Sequence, residues 1–127
     1  MASIPNCDTA TVTLNVTRPI DAVNDVMPNT VGAIGGTIGN ILSSNPASAN
    51  TPDTLGGTPA AIGSVNVSTT GTTFNGTAIS TGQYPTINSA TGAITVPAGT
   101  PAGNYVITYS LCEKAAPTNC EIGRAHV

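Results

Sequence analysis

The sequence predicts an all-β fold, an antiparallel β-sandwich of seven to eight strands, and three observations lead to this prediction. Thr occurs 21 times among 127 residues, alongside 14 Gly and 10 Pro, whereas charged residues make up only 7 %. The β-branched Thr and Val side chains favour the pleated surface of a strand, and Gly and Pro favour the turns between strands. Apolar residues also recur at every second position in several short segments, which is the period of a half-buried strand.

The composition also limits the classes of partner. Disorder is the competing interpretation of so much Thr, Gly and Pro, but hydrophobic residues reach 39 % and the net charge is only −3, so the chain has enough apolar surface to collapse. Three basic residues, Arg18, Lys114 and Arg124, cannot follow a phosphate backbone, so we expect no nucleic-acid partner. The apolar runs are too short for a membrane span.

Period-two alternation locates the individual strands. The strongest alternation runs over residues 8–16, where Ala10, Val12, Leu14 and Val16 form one apolar face between threonines and Asn15. Residues 72–79 are predicted to form a hairpin, and further strands are predicted, in chain order, at 21–27, 31–42, 64–69, 86–88, 93–96 and 104–112. In the last of these, four apolar side chains share one face, so we expect it to be a central strand. They are Tyr105, Ile107, Tyr109 and Leu111.

Turn signals separate these strands. Asn75-Gly76 is the strongest two-residue hairpin signal in the chain, because both positions of such a turn need a positive φ. Residues 97–103 contain two Pro and two Gly and form a compact turn before the expected central strand. Residues 43–61 are predicted to form a polar loop, which is longer than most connections and is therefore a candidate binding loop.

A short motif occurs near both ends of the chain. Pro5-Asn6-Cys7-Asp8 and Pro117-Thr118-Asn119-Cys120-Glu121 both contain Pro, Asn, Cys and an acidic residue, and their cysteines are 113 positions apart. That separation is the size of one immunoglobulin-like domain. We interpret it as one period of a tandem array, in which residues 1–17 belong to the preceding repeat or act as a donor strand, and residues 18–121 form the repeat itself. A chance match of four residue types is the alternative.

The residues after Glu121 do not continue this pattern. Asp8 begins a Thr/Val strand after the first motif, whereas Ile122–Val127 shows no such alternation after the second. The same six residues can be encoded by a stretch familiar as a short-read sequencing adapter. We therefore predict that 122–127 is a non-native tail, with an ordinary polar C-terminal tail as the alternative.

Two groups of segments carry a family resemblance. The group near the end of the chain is Pro97-Ala98-Gly99-Thr100-Pro101-Ala102-Gly103-Asn104-Tyr105, Thr108-Tyr109, Cys112-Glu113 and Asn119-Cys120. The group near the start is Asp21-Ala22-Val23-Asn24-Asp25 and Ile41-Leu42. Over residues 8–120 they resemble the ends and starts of Ig-like or cadherin-like tandem repeats in giant bacterial surface proteins. The resemblance implies an immunoglobulin-like sandwich that serves as a stalk or adhesin module outside the bacterial cell.

The three cysteines predict one disulfide and one odd thiol. Cys112 and Cys120 flank a short loop with Pro117 that can fold back as a hairpin, and cysteines facing each other across a hairpin fit a disulfide bond. In a secreted chain, such a bond stabilises the fold by roughly 2–3 kcal/mol. Cys7 is then free, competes with Cys120 for Cys112, or bonds to a neighbouring molecule. Zinc is a weak rival, since no CxxC spacing is present.

A non-native tail would leave a sheet edge open beside Asn104–Leu111. The strand 8–16 has the sequence to fill that edge, either within its own chain or in a neighbouring molecule by donor-strand complementation. Head-to-tail repetition of the second arrangement gives a filament, because a heterologous contact that does not close is open-ended. For an isolated chain we expect the strand to pack on its own domain.

Side chains for catalysis or for metal binding are scarce. The only histidine, His126, lies in the doubtful tail, so no Ser–His or Cys–His pair is available. Asp21, Asp25 and Asp53 offer a conceivable glycosidase pair, but we expect exposed turn carboxylates. Asp21, Asn24 and Asp25 are weak calcium candidates, because Ca²⁺ needs six or more oxygen ligands. We therefore predict no enzymatic activity and no cofactor other than this weakly supported calcium.

These observations favour a structural role. We expect a module of an extracellular repeat protein or filament, whose partners are copies of itself or neighbouring repeats. The alternative is an adhesin module that recognises carbohydrate or a host protein through residues 43–61 or other loops. Only 3 % of the residues are aromatic, which argues against a sugar-stacking platform.

Overall fold

The computed structural model describes residues 5–14, 16–27, 32, 34–43 and 51–127. Within these ranges the secondary structure consists of eleven strands and one short 3₁₀ turn at Ile62–Ser64, so the all-β prediction is confirmed. The strands are β1 (Ile20–Asp21), β2 (Asp25–Val26), β3 (Gly36–Asn40), β4 (Thr54–Leu55), β5 (Thr58–Pro59), β6 (Val65–Phe74), β7 (Thr77–Ile79), β8 (Thr86–Ile87), β9 (Ala93–Val96), β10 (Tyr105–Glu113) and β11 (Ala116–His126).

The strands form one large sheet and two small ones. The large sheet has the order β2-β11-β10-β6-β7, and the small sheets have the orders β1-β4-β5 and β3-β9-β8. Neighbouring strands are antiparallel except β2, which pairs in parallel with the end of β11. The backbone of Ile41 links the small sheets, because its N–H donates to Gly92 and its carbonyl accepts from Asp53, both at 3.1 Å.

Among the described residues, one hydrophobic core lies between the sheets. Strands β6, β10 and β11 contribute to it from the large sheet, and β4, β8 and β9 contribute from the small ones. The side chains involved include Val65, Val67, Ile107, Tyr109, Leu111 and Ala125 on one side and Leu55, Ile87 and Ile94 on the other. This is the arrangement of a β-sandwich, in which two inner faces share one interior. Where the chain is described, no helix is long and apolar enough to cross a bilayer.

The prediction of a central strand at 104–112 is confirmed by β10. It is flanked by β6 and β11, and its buried side chains alternate along its whole length from Tyr105 to Glu113. The predicted hairpin at Asn75-Gly76 is also confirmed, since φ is +47° and +86° at these two residues and they join β6 to β7. Local turn chemistry and period-two alternation were sufficient for both elements.

The strand count exceeds seven to eight because several predicted strands are broken or missed. The predicted strand 21–27 is divided into β1, in one sheet, and β2, in another. The predicted loop 43–61 contains a small hairpin, β4–β5, that turns at Gly56 and Gly57, with φ of +66° and +79°. Its strands are two residues long, which is too short for periodicity to reveal. Residues 44–50 of that loop lie outside the described part.

The C-terminal segment corrects a larger expectation. Residues 122–126 continue β11, which pairs with β10 from Cys112 opposite Cys120 to Val106 opposite His126. The sequence led us to expect an open sheet edge beside Asn104–Leu111. This expectation is wrong, because β11 occupies that edge. The alternation in β11 is easily missed because its buried positions are Gly123 and Ala125, which carry little apolar surface. The non-native origin of 122–127 stays a prediction.

The predicted disulfide is present at the closed end of the β10–β11 hairpin. Cys112 and Cys120 lie directly opposite each other in the strand register, with their Cα atoms 4.1 Å apart. The bond closes a loop over a sequence separation of 8 residues. It therefore ties the first part of β11 to the central strand.

Reduction of this bond is expected to lower the free energy of unfolding by ~2–3 kcal/mol, because the open loop gains entropy in the unfolded chain. Urea denaturation followed by circular dichroism, with and without reductant, measures the difference. The Cys7→Ser variant is the control, since Cys7 is exposed and free and its removal should leave stability unchanged. Equal unfolding midpoints with and without reductant would contradict the expectation.

Candidate functional site

The N-terminal segment, residues 5–17 apart from Asn15, lies outside the domain body. Its described residues are exposed and belong to no strand of the described part. Val12 is 88 % exposed, and Leu14 and Val16 are 77 % exposed. The expectation that residues 8–16 pack on their own domain is therefore wrong. The physical reason is that β11 already occupies the place beside β10 that this segment would take.

Arg18 fixes the point at which the N-terminal segment leaves the domain. Its backbone N–H donates to Glu113 Oε2 at 3.1 Å, and its Nε lies 3.6 Å from Glu113 Oε1. Asn119 donates from Nδ2 to the Arg18 carbonyl at 2.7 Å and to Glu113 Oε2 at 3.2 Å. The backbone N–H of Arg18, together with Asn119 and the Arg18 guanidinium, holds the pKa of Glu113 below its usual range. The segment is thus anchored at the end of the hairpin that holds the disulfide.

Two of the three aspartates that the sequence predicts as exposed turn carboxylates are buried. Asp25 and Asp53 are both fully buried, and their Oδ2 atoms lie 2.8 Å and 2.7 Å from the Tyr109 hydroxyl. Val23 adds two contacts, since its N–H donates to Asp53 Oδ1 at 2.8 Å and its carbonyl lies 3.2 Å from the same hydroxyl. We call Asp25, Asp53 and Tyr109 the carboxylate–phenol cluster.

The cluster needs a proton on one of its carboxyl groups. A phenol carries one hydrogen, so it can donate fully to only one carboxylate. Burial raises the pKa of Asp53 to about 7, the Tyr109 hydrogen bond opposes this rise, and the charges of Asp25 and Asp21 add to it. Burial and the two carboxylates raise the pKa of Tyr109, so its hydroxyl stays protonated. At acidic to neutral pH, a protonated Asp53 therefore supplies the second hydrogen bond.

Gly123 of β11 leaves the space that the Tyr109 ring occupies. The two residues are directly opposite each other in the β10–β11 register. A Cβ atom at position 123 would overlap the Cζ and hydroxyl atoms of Tyr109. The last strand therefore determines where the phenol of the carboxylate–phenol cluster lies.

The structure does not gather the three calcium candidates. Asp21 and Asn24 are exposed, whereas the Asp25 side chain is buried against Tyr109. Among the residues described, no group of three or more His, Cys, Asp or Glu side chains lies close enough together to hold a metal ion. Sequence reasoning missed the pairing of Asp25 with Asp53, since they are 28 positions apart and only the sheet topology brings them together.

A shallow groove of about 370 Å³ lies between the β6–β7 edge and β8. Most of its lining side chains are hydroxylated, and Tyr84 is the aromatic residue among them. The lining residues are Thr69, Thr70, Gly71, Thr72, Ile79, Ser80, Tyr84, Thr86 and Ile87. The sequence did not single out this surface, because its residues come from separate strands and carry no motif.

Comparison with known proteins identified no relative: no family model, curated protein or solved structure matched the chain. The resemblance to Ig-like or cadherin-like repeats therefore stays a prediction.

Removal of the Tyr109 hydroxyl should destabilise the fold. In Tyr109→Phe, Asp25 loses its hydrogen-bond donor and the protonated Asp53 loses its acceptor while both remain buried, and each lost partner of a buried group costs about 1–3 kcal/mol. Urea denaturation of the variant at pH 7 measures the loss. The matched control is Tyr84→Phe, which removes a hydroxyl from the half-buried groove residue and should change stability little. Equal losses in the two variants would contradict this role of the cluster.

Stability should fall as pH rises from about 4 to 7. The folded-state pKa of Asp53 is raised from 3.8 to about 7, so the folded chain holds a proton there that the unfolded chain releases. The contribution is fully present at low pH and is lost as pH rises through 7. Asp53→Asn should flatten this dependence, because its amide can donate to Tyr109 as the protonated acid does. Denaturation midpoints across this range provide the test, and an unchanged slope in the variant would contradict it.

Proposed function

We propose that the chain is a structural module of an extracellular bacterial repeat protein or filament, joined to its neighbours through residues 8–16, which pair as a strand with the neighbouring domain. The observation that carries this proposal is the row of apolar side chains at Val12, Leu14 and Val16, which alternate as in a strand and lie exposed outside the domain body. An extended segment of this kind can add as a strand to the sheet of another chain.

Energetics favour a partner for this strand. Burial of one Val or Leu side chain is worth about 1.5–3 kcal/mol, so three of them supply a large part of a weak association energy. Backbone pairing adds the hydrogen bonds of a sheet ladder, as in other cases of β-augmentation. Repetition of one such contact between identical copies is open-ended and gives a linear assembly.

Other features fit a module that carries mechanical tension outside the cell. The Cys112–Cys120 disulfide belongs to a class of bond that persists in oxidising compartments. Long antiparallel ladders join β6, β10 and β11, and the sequence has few charges and many threonines. The module needs no cofactor for such a role, because its function is mechanical.

An adhesin module is the second candidate. The groove beside Tyr84 favours it, since hydroxyl groups and one aromatic ring can contact a sugar. The single ring makes it the weaker candidate, because sugar platforms usually stack on several.

Self-association is expected to depend on the apolar face of the strand. Light scattering after size exclusion over a concentration series, and electron microscopy, should show oligomers or fibres with a repeat of one domain. Leu14→Asp should abolish assembly by placing a charge on the buried face. Thr13→Asp is the matched control, because Thr13 lies on the opposite face of the same strand and should tolerate the change.

Two results would overturn the proposal. The first is a wild-type chain that stays monomeric at every concentration, and the second is equal assembly by the Leu14→Asp and Thr13→Asp variants. Glycan binding by a monomeric chain would favour the adhesin module instead.

A further inference from the structure

The contacts of β11 show what the Pro, Asn, Cys and acidic motif does at the C-terminal end of the chain, and the same motif occurs near the N-terminal end. Alignment of Cys7 with Cys120 places Asn6 at the position of Asn119, and Asp8 at that of Glu121. In β11, the Asn of the motif donates to Glu113 and to the Arg18 carbonyl, and the Cys bonds to Cys112. The N-terminal motif carries the same side chains at the same spacing and makes none of these contacts in its own domain.

The same alignment continues along the strand. Three positions at the C-terminal end of β11 and just after it face the core. Gly123 lies opposite Tyr109, Ala125 opposite Ile107, and Val127 opposite Tyr105. Their places are taken, in the same order, by Ala10, Val12 and Leu14. The apolar face of the exposed strand thus coincides with the inward face of the last strand, while its threonines coincide with outward positions.

We propose that residues 8–16 replace the second half of β11 in another copy of this domain, in the register that places Cys7 opposite the Cys112 of that copy. This inference depends on the proposed function and names its partner, its register and its covalent bond. The bond forms by exchange: the Cys7 thiolate attacks the Cys112 sulfur, the bond to Cys120 breaks, and Cys120 leaves as a thiolate that takes up a proton. The exchange consumes no oxidant.

The reach of the chain decides that the acceptor is another copy. In this register Leu14 lies opposite Tyr105, whereas Arg18 is held at Glu113, at the other end of β10. These two ends are roughly 26 Å apart at the rise of a strand. The four residues from Leu14 to Arg18 span at most about 14 Å. A chain cannot therefore insert its own strand while the Arg18 contacts hold, and the copies follow one another head to tail.

Two positions resist the replacement. Ala10 brings a methyl group to the place of Gly123, where a Cβ atom overlaps Tyr109, so the ring has to shift when a neighbour's strand enters. Leu14 offsets part of this strain, because it is larger than the half-buried Val127 that it replaces and buries more apolar surface. Val12 adds two methyl groups at the fully buried position of Ala125, so the side chains around it have to shift as well. The shift also reaches Asp25 and Asp53, since both are hydrogen-bonded to the same phenol.

The experiment uses the full-length Cys120→Ser variant, in which Cys7 and Cys112 are the two remaining cysteines, so that Cys112 is released from its partner within the hairpin. After oxidation with glutathione disulfide, a non-reducing gel should show a ladder of linked chains. Cleavage after acidic residues leaves Cys7 on peptide 1–8 and Cys112 on peptide 54–113, so mass spectrometry can identify the linked pair. We expect the Cys7–Cys112 pair to be more abundant than Cys7–Cys7. A second substitution, Leu14→Asp, should abolish the Cys7–Cys112 bond, whereas Thr13→Asp in its place should leave the bond intact.

The outcomes separate the inference from the proposed function. Oligomers linked only through Cys7–Cys7, or assembled without any Cys7–Cys112 bond, overturn the register and leave the strand-mediated assembly standing. A monomer band that contains the Cys7–Cys112 bond overturns the choice of another copy. Chains that remain monomeric and unlinked overturn both proposals. If the variant does not fold, the wild-type chain in a glutathione buffer should yield the same Cys7–Cys112 peptide together with a free Cys120 thiol, and its absence there overturns the inference.

Discussion

The pairing of β10 with β11 is the contact on which most of the structure depends. It places Gly123 opposite Tyr109, and so gives the phenol room to reach Asp25 and Asp53. It also places Cys120 opposite Cys112, where the disulfide closes the hairpin. Without a last strand in this register, β10 would lose one of its two neighbouring strands, and the core would lose the packing of Ala125.

The same pairing explains why the N-terminal segment is left exposed. A sheet edge accepts one strand, and the chain contains two segments with the motif that suits this edge. The C-terminal one follows β10 through a short hairpin, so its loop-closure entropy is small. The N-terminal one is tied to Glu113 by Arg18 at the wrong end of the strand. Connectivity therefore decides the competition within one chain, even though Val12 and Leu14 are larger than Ala125 and Val127.

Local patterns in the sequence predicted those features that depend on neighbouring residues. The alternation from Tyr105 to Leu111 identified the central strand, Asn75-Gly76 identified a hairpin, and the spacing of Cys112 and Cys120 identified the disulfide. The β11 strand was missed because glycine and alanine give almost no hydrophobic signal. The burial of Asp25 and Asp53 was missed because a carboxylate in a turn-like sequence gives no sign of a distant tyrosine. Such long-range polar contacts depend on the order of the strands in the sheets, and the spacing of apolar residues in the sequence does not predict that order.

The direction of the chain at its two ends has a mechanical consequence. The polypeptide enters the domain at Arg18, beside the disulfide-bonded end of the hairpin, and Val127 pairs with Tyr105 at the far end of β10. Tension applied between these points runs along the strands and loads the β10–β11 hydrogen bonds in shear, all together. A domain with both ends on one side would instead be unzipped one bond at a time. Traction between Arg18 and Val127 would thus meet the large sheet in its most resistant direction.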